Sequence, residues 1–169
     1  MTKAEKDLCI TIARCTNIGV SSCNKIASVQ SNFILKQVPE PWNGNLSKAK
    51  IIFISSNPSI DDNEKFPHIG WKDDDICYFF ENRFSNGKML KTGGTSQVKF
   101  WNALVKYSNW INDILKGNRK KVFFSKINST KDLGRYVVCT EIVHCKSKAQ
   151  YGVFECALEC FPLHTQAII

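Results

Sequence analysis

The residues best suited to chemistry in this chain are its thiols and two short polar segments that each follow an apolar run. Eight cysteines fall into two groups: Cys9, Cys15 and Cys23 near the start, and Cys139, Cys145, Cys156 and Cys160 near the end, with Cys77 alone between them. Eight is many for a cytosolic chain and few for a disulfide scaffold of this length. The opening MTKAEKDLC has no apolar stretch of the signal-peptide kind, so secretion is not expected. Clustered thiols then read as ligands of a metal or an iron–sulfur centre rather than as bridges, and spacing alone leaves zinc and iron open. Cys77, Cys139 and Cys156 are expected to be small buried hydrophobes. The two polar segments are Ser55-Ser56-Asn57-Pro58-Ser59 and Thr140-Glu141-Ile142-Val143-His144-Cys145-Lys146.

The elements that must position these residues follow from apolar spacing. Residues 3–15, with Leu8 and Ile12, predict a short helix, and 16–49 reads as irregular, broken by Pro39, Pro41, Gly44 and Asn45. Lys50 to Ser56 is a β-branched, nearly unbroken apolar run, which predicts a strand buried on both faces. Ser59 with Asp62 has capping-box form, predicting a short helical turn after that strand. Asp73 to Phe84 places Ile76, Phe79, Phe80 and Phe84 at helical spacing, with Asp73 or Asp74 as the cap. Lys91 to Thr95 is a glycine-containing break. Ser96 to Lys116 is the strongest helix, with a stripe of Phe100, Leu104, Ile111, Ile114 and Leu115 and a stop at Gly117. Val122 to Phe124 is too short to assign, Tyr136 to Val143 is a second buried strand, and Val153 to Ile169 is helical.

Strands separated by helices predict an α/β domain with a parallel sheet, in which ligands bind beyond the carboxyl ends of the strands. Both polar segments lie at such ends. A length of 169 residues fits one domain, 1–169. A composition of 43% hydrophobic and 22% charged residues excludes disordered and fibrous classes, and no apolar run is long enough to span a bilayer. Lys and Arg outnumber Asp and Glu by 23 to 15, a formal +8 that favours a polyanionic partner such as nucleic acid.

Together the two strand ends resemble the uracil-DNA glycosylase superfamily. In that family a strand ends in a short motif with a polar residue before proline, matched here by Asn57-Pro58. The mismatch-specific and single-strand-selective branches carry an Asn-Pro pair there, and their Asn positions the attacking water. The iron–sulfur branches carry a glutamate one position earlier, where this chain has Ser56. The second strand end is similar to that of the iron–sulfur branches, in which a Thr-Asn pair is followed four residues later by a ligand cysteine and, one short helix on, by another. The counterparts here are Thr140-Glu141, Cys145 and Cys160, with fourteen residues between the cysteines.

The resemblance implies a three-layer α/β/α fold around a central parallel sheet, and a cytoplasmic, DNA-binding base-excision enzyme of DNA repair. It implies a 4Fe–4S cluster, with zinc as the alternative, held by Cys15, Cys23, Cys145 and Cys160. The seven residues between Cys15 and Cys23 exceed the family's usual gap, which leaves Cys9 as a substitute. Asn57 would hold the water, since a neutral amide orients a nucleophile but is no strong base near pH 7. The base pocket would comprise Ser56, Pro58, Ser59, Phe66 and Glu141. Trp71 is a further wall candidate, and Phe79 and Phe80 are assigned to the core. Glu141 stands where the family has Asn; as a carboxylate it offers acceptors only, so a base edge presenting N–H donors is expected to suit it. Lys146, Lys148 and Arg83 would meet DNA phosphates. His144 is expected to be a local hydrogen-bonding group or a phosphate contact. The resemblance spans roughly residues 9 to 166. No counterpart of the family's histidine-containing loop is found, so the last strand is expected to be missing and activity is in question. The alternative is a non-catalytic nucleic-acid-binding or interaction module with a structural metal site. No membrane association is expected, and a monomer is the simplest assembly.

Overall fold

In a computed structural model of the chain, residues 1–17, 23–30, 35–60, 65–85, 95–119 and 124–169 are described. The first helix, α1 (Lys3–Ala13), starts at a reciprocal cap in which the Glu5 amide donates to the Thr2 hydroxyl and the Glu5 carboxylate accepts from the Thr2 amide. It buries Cys9, Ile12 and Ala13. Arg14 closes the helix and carries its guanidinium across to the Ile69 and Trp71 carbonyls at 2.6 Å and to Asp73 Oδ1 at 2.9 Å. That contact fastens α1 to α3 (Asp73–Glu81), whose three leading aspartates suit the positive end of the helix dipole. Lys72, not Asp73 or Asp74, is the cap, and Phe84 is buried beyond the helix end.

The segment 16–49 is less irregular than its prolines suggest. It contains α2 (Cys23–Ala27) and a two-residue strand, β1 (Trp42–Asn43). β2 (Ile51–Ser55) and β3 (Val137–Glu141) pair in parallel with Ser55 opposite Glu141, and β1 pairs antiparallel with the other edge of β3. The described sheet is therefore mixed, in the order β1-β3-β2, rather than wholly parallel. A short antiparallel edge needs no crossover, so proline-rich sequence can supply it.

β3 is buried along its whole length because helix-bearing clusters lie on both of its faces. Val138 packs with α1, α3, Trp42 and Phe66, whereas Val137 and Cys139 pack with Trp101, Leu104 and Phe84. Burying each of these valines is worth about 1.5–3 kcal/mol. β2 is buried on one face only. Ile51 and Phe53 join the second cluster, but Ile52 and Ile54 are 36% and 45% exposed, so the expectation of two buried faces fails. An unbroken apolar run does not reveal which side of a strand goes uncovered.

The long helix α4 (Thr95–Arg119) runs past Gly117, which is not its stop. Its buried stripe is Trp101, Leu104, Ser108 and Asn112, while Phe100 and Ile114 of the expected stripe are 38% and 43% exposed. Asn112 in the stripe and Asn109 beside it bond backbone, whereas the buried Ser108 hydroxyl has no partner among the described residues. Asn109 donates to the Ile127 carbonyl at 2.7 Å and accepts from the Ile127 amide at 2.9 Å, and Asn112 does the same with Phe124 at 2.8 and 3.3 Å. After α5 (Thr130–Leu133) and β3, the chain ends in α6 (Val153–Leu163) and a single 3₁₀ turn at Thr165–Ala167. Residues 61–62 of the turn expected at Ser59–Asp62, the break at 91–94 and most of 122–124 lie outside the described residues. Among the described residues no helix is long and apolar enough to cross a membrane.

Candidate functional site

The parallel register brings the two polar segments together. Past the ladder, the Ile142 and Val143 amides donate to the Ser55 and Ser56 carbonyls at 2.8 and 2.9 Å. Further on, Ser59 and Ser147 form a parallel bridge. A cavity of about 290 Å³ opens at these strand ends, lined by Asn57, Pro58, Ser59 and Glu141 of the expected set and by Glu40, Ser55, Arg83, Phe100, Trp101 and Lys146.

Asn57 is held from one side. Its Nδ2 donates to Ser147 Oγ at 2.7 Å and to the Pro58 carbonyl at 3.0 Å. Its Oδ1 is left as the atom that can accept from a water. Glu141 is 4% exposed, accepts from the Ser55 hydroxyl, and lies near a second buried carboxylate, Glu40. Burial, then the charge of Glu40, pushes the Glu141 carboxyl up to about 8, so it is largely protonated at neutral pH. The expectation of an acceptor-only carboxylate is thereby corrected. Glu40 accepts from Asn43 Nδ2 and ion-pairs with Arg83 at 3.9 Å.

Several expected placements change. Ser56 does not line the cavity; its hydroxyl accepts from Gln150 Nε2 at 3.4 Å. Phe66 is a core residue, edge-on to Phe79 and Phe80 at 5.5 and 5.6 Å, as befits its 3% exposure. The aromatic wall of the cavity is instead Phe100, which helical periodicity assigns to packing, and Trp101, which the sequence reading did not single out. Trp71 packs edge-on against Phe79 at 5.9 Å. Lys146 and Arg83 are each 2% exposed, so they are cavity residues rather than outer-surface phosphate contacts. Lys146 Nζ sits 3.4 Å from the centre of the Phe66 ring, and Arg83 lies 5.1 Å from the same ring. Lys148 remains exposed, on a loop where Ala149 and Gln150 adopt positive φ. Glu40 had no signal in the sequence beyond its place between two prolines.

The second assembly lies behind the first. Cys15, Cys23, Cys145 and Cys160 all line one small pocket with His144 and His164, although they come from the end of α1, from α2, from the loop after β3 and from α6. Cys156 joins them: its Sγ is 3.0 Å from Cys23 Sγ, and it hydrogen-bonds with Cys145 and Cys160. It is buried as expected, but within the thiol group. Hydrogen bonding to Cys145 leads the causes that raise the Cys156 thiol, and the bond to Cys156 followed by burial raises Cys160. Cys9 does not line the pocket; it is buried in the α1–α3 core beside Cys77. His164 Nε2 is 3.3 Å from Cys15 Sγ. His144 is 1% exposed and is a local hydrogen-bonding group, not a phosphate contact.

Gly152 lets α2 and α6 meet. It has φ +75°, and a Cβ there would stand 2.8 Å from the Ile26 amide nitrogen. Among the described residues no three of His, Cys, Asp and Glu stand in an arrangement that holds a metal ion as they are. Four thiols and two imidazoles nevertheless share the lining of this one pocket.

The chain matches no family model, and neither a curated protein nor a solved structure is detectably similar to it.

Proposed function

We propose that this protein is a DNA glycosylase-like hydrolase that cleaves the N-glycosidic bond of a flipped, modified or deaminated base in DNA. The observation that carries this reading is the placing of Asn57, with its amide nitrogen occupied and Oδ1 left to accept, on the same cavity as Glu141. A base flipped into the cavity would meet Glu141 and the Phe100–Trp101 wall. Asn57 Oδ1 would accept from a water and aim its oxygen at C1′. The C1′–N bond breaks with its electron pair going to the base, the water oxygen bonds C1′, and the water's proton ends on the departed base. Arg83 and Lys146 supply positive charge where the base becomes anionic.

On this reading the fold is a three-layer α/β/α arrangement around the β2–β3 pair. Cys15, Cys23, Cys145 and Cys160 would hold a 4Fe–4S cluster, or zinc in its place. Bound there, such a centre would staple the loop after α1, α2 and α6 to the segment after β3, a structural contribution. Excess positive charge supports DNA as the partner.

The test is incubation with oligonucleotides carrying uracil, hypoxanthine or unmodified bases, followed by alkaline cleavage at base-free sites. Excision should appear for one modified base and disappear in Asn57→Ala. Tight DNA binding with no excision of any base would favour the alternative of a non-catalytic nucleic-acid-binding module. That alternative has one observation behind it: among the described residues no histidine lines the cavity. Iron with acid-labile sulfide in anaerobically purified protein would separate the cluster from zinc.

A further inference from the structure

Two buried carboxylates share the cavity and are provided for unequally. Glu40, 4% exposed, receives the Asn43 amide and faces the Arg83 guanidinium at 3.9 Å. Glu141, equally buried, receives the Ser55 hydroxyl. Lys146, in the same lining, directs its ammonium over the Phe66 ring. Two anions this close in a poorly hydrated space cannot both remain charged cheaply, and the one facing the guanidinium keeps its charge.

We propose that Glu141 reads the flipped base as a neutral carboxylic acid, its hydroxyl donating to a ring carbonyl and its carbonyl oxygen accepting from the adjacent ring N–H. Glu141 is thus the specificity-determining residue for bases with a lactam edge, of which uracil and hypoxanthine are examples. The inference rests on the glycosylase reading and deepens it. An ionised carboxylate would offer acceptors only and would select two adjacent N–H donors. A neutral acid alone would also match the amino-imine edge of cytosine. Arg83 and Lys146 decide between them, because both carry only donors and so favour ring oxygens over an exocyclic amine.

The groups that face Glu141 agree with this state. Glu40, from the segment before β1, opposes its ionisation, while Arg83, beyond α3, favours it less strongly than burial opposes it. Cys139, on β3 itself, is a neutral thiol held well above its ordinary range by burial. The α4 wall contributes Phe100 and Trp101, which carry no charge, and Lys146 comes from the loop after β3. The Glu141 carboxyl accordingly loses its proton only near pH 8.

The experiment measures binding of free uracil and free cytosine by calorimetry or ligand-observed NMR at about pH 7 and about pH 9. Wild-type protein and E141Q are compared, and thermal unfolding confirms that both are folded. Wild type should prefer uracil and lose about tenfold in uracil affinity over that interval, because the protonated fraction falls by about that factor. E141Q keeps a donor beside an acceptor at every pH, so it should bind uracil without that loss. Ionisation of uracil itself affects both proteins alike and cancels. Parallel pH profiles, preference of the wild type for cytosine, or no uracil binding at either pH would each overturn the assignment. The binding pattern as expected, but without excision from any oligonucleotide, would sink the glycosylase reading and leave Glu141 as a base-reading residue.

Discussion

His144 and Glu40 are bonded to each other twice. The Glu40 amide donates to the His144 carbonyl at 2.8 Å, and the His144 ring returns a bond from Nδ1 to the Glu40 carbonyl at 2.7 Å. The ring's other nitrogen faces the Thr165 hydroxyl at 3.2 Å, and the His144 amide points at Cys160 Sγ at 3.5 Å. One buried histidine therefore joins the Glu40 backbone, the thiol pocket and the C-terminal turn.

Replacing His144 by Ala should destabilise the protein by about 2–4 kcal/mol, since it opens a cavity and leaves buried backbone groups without a partner. Chemical denaturation checks the loss. His144→Gln, which can keep one of the ring's bonds, should lose distinctly less.

Asn57→Ala should lower single-turnover base excision by about a hundredfold or more while leaving thermal stability nearly unchanged, because Asn57 is only partly buried and lies at the cavity mouth. Asn57→Asp should retain more excision than Asn57→Ala, since it keeps an acceptor at the same place.

Glu141 makes stability depend on pH with a definite sign. Its folded-state carboxyl titrates near 8, above its ordinary value of 4.5. Between those values the native state binds more protons than the unfolded chain, so stability falls as pH rises from about 4.5 to about 8 and then levels. E141Q should lack this slope. Its melting temperature should exceed that of the wild type by a margin that grows from pH 5 to pH 8; equal margins at both pH values would contradict the raised carboxyl.

Gly152→Ala should cost about 1–3 kcal/mol, because a side chain there is strained at positive φ and meets Ile26 backbone. Limited proteolysis near residue 24 should accelerate in that variant, since Gly152 is where α2 rests on α6.

Cys145→Ser and Cys160→Ser should each abolish iron and acid-labile sulfide in anaerobically prepared protein, whereas Cys77→Ser should leave both unchanged. Cys77 belongs to the α1–α3 core and does not line the thiol pocket.

The strands at 51–55 and 137–141, the helices at 73–81 and 95–119, and the meeting of two polar segments at the strand ends were legible in the sequence. Apolar period and polar punctuation are local properties, and they survive folding. The grouping of Cys15, Cys23, Cys145 and Cys160 was legible only through family resemblance, and the structure brings the four to one pocket. Cys156 was invisible as a member because nothing in spacing separates a thiol that packs from one that faces other thiols. Phe66 looked like a base platform from its position along the chain, but α3 offers it two rings to pack against. Phe100 looked like core from its helical period, but it is 38% exposed and lines the cavity.

By itself the sequence determined that the chain folds as mixed helix and strand, that an Asn-Pro pair and a thiol each follow a strand, and that net charge favours a polyanion. Only the tertiary structure decided what state those groups are in. Glu141 is a carboxylate in the sequence and a largely neutral acid in the protein, because Glu40, 101 residues earlier in the chain, is folded back against it in a space too poor in water for two charges. Protonation depends on distance and burial, and neither is written in the order of residues.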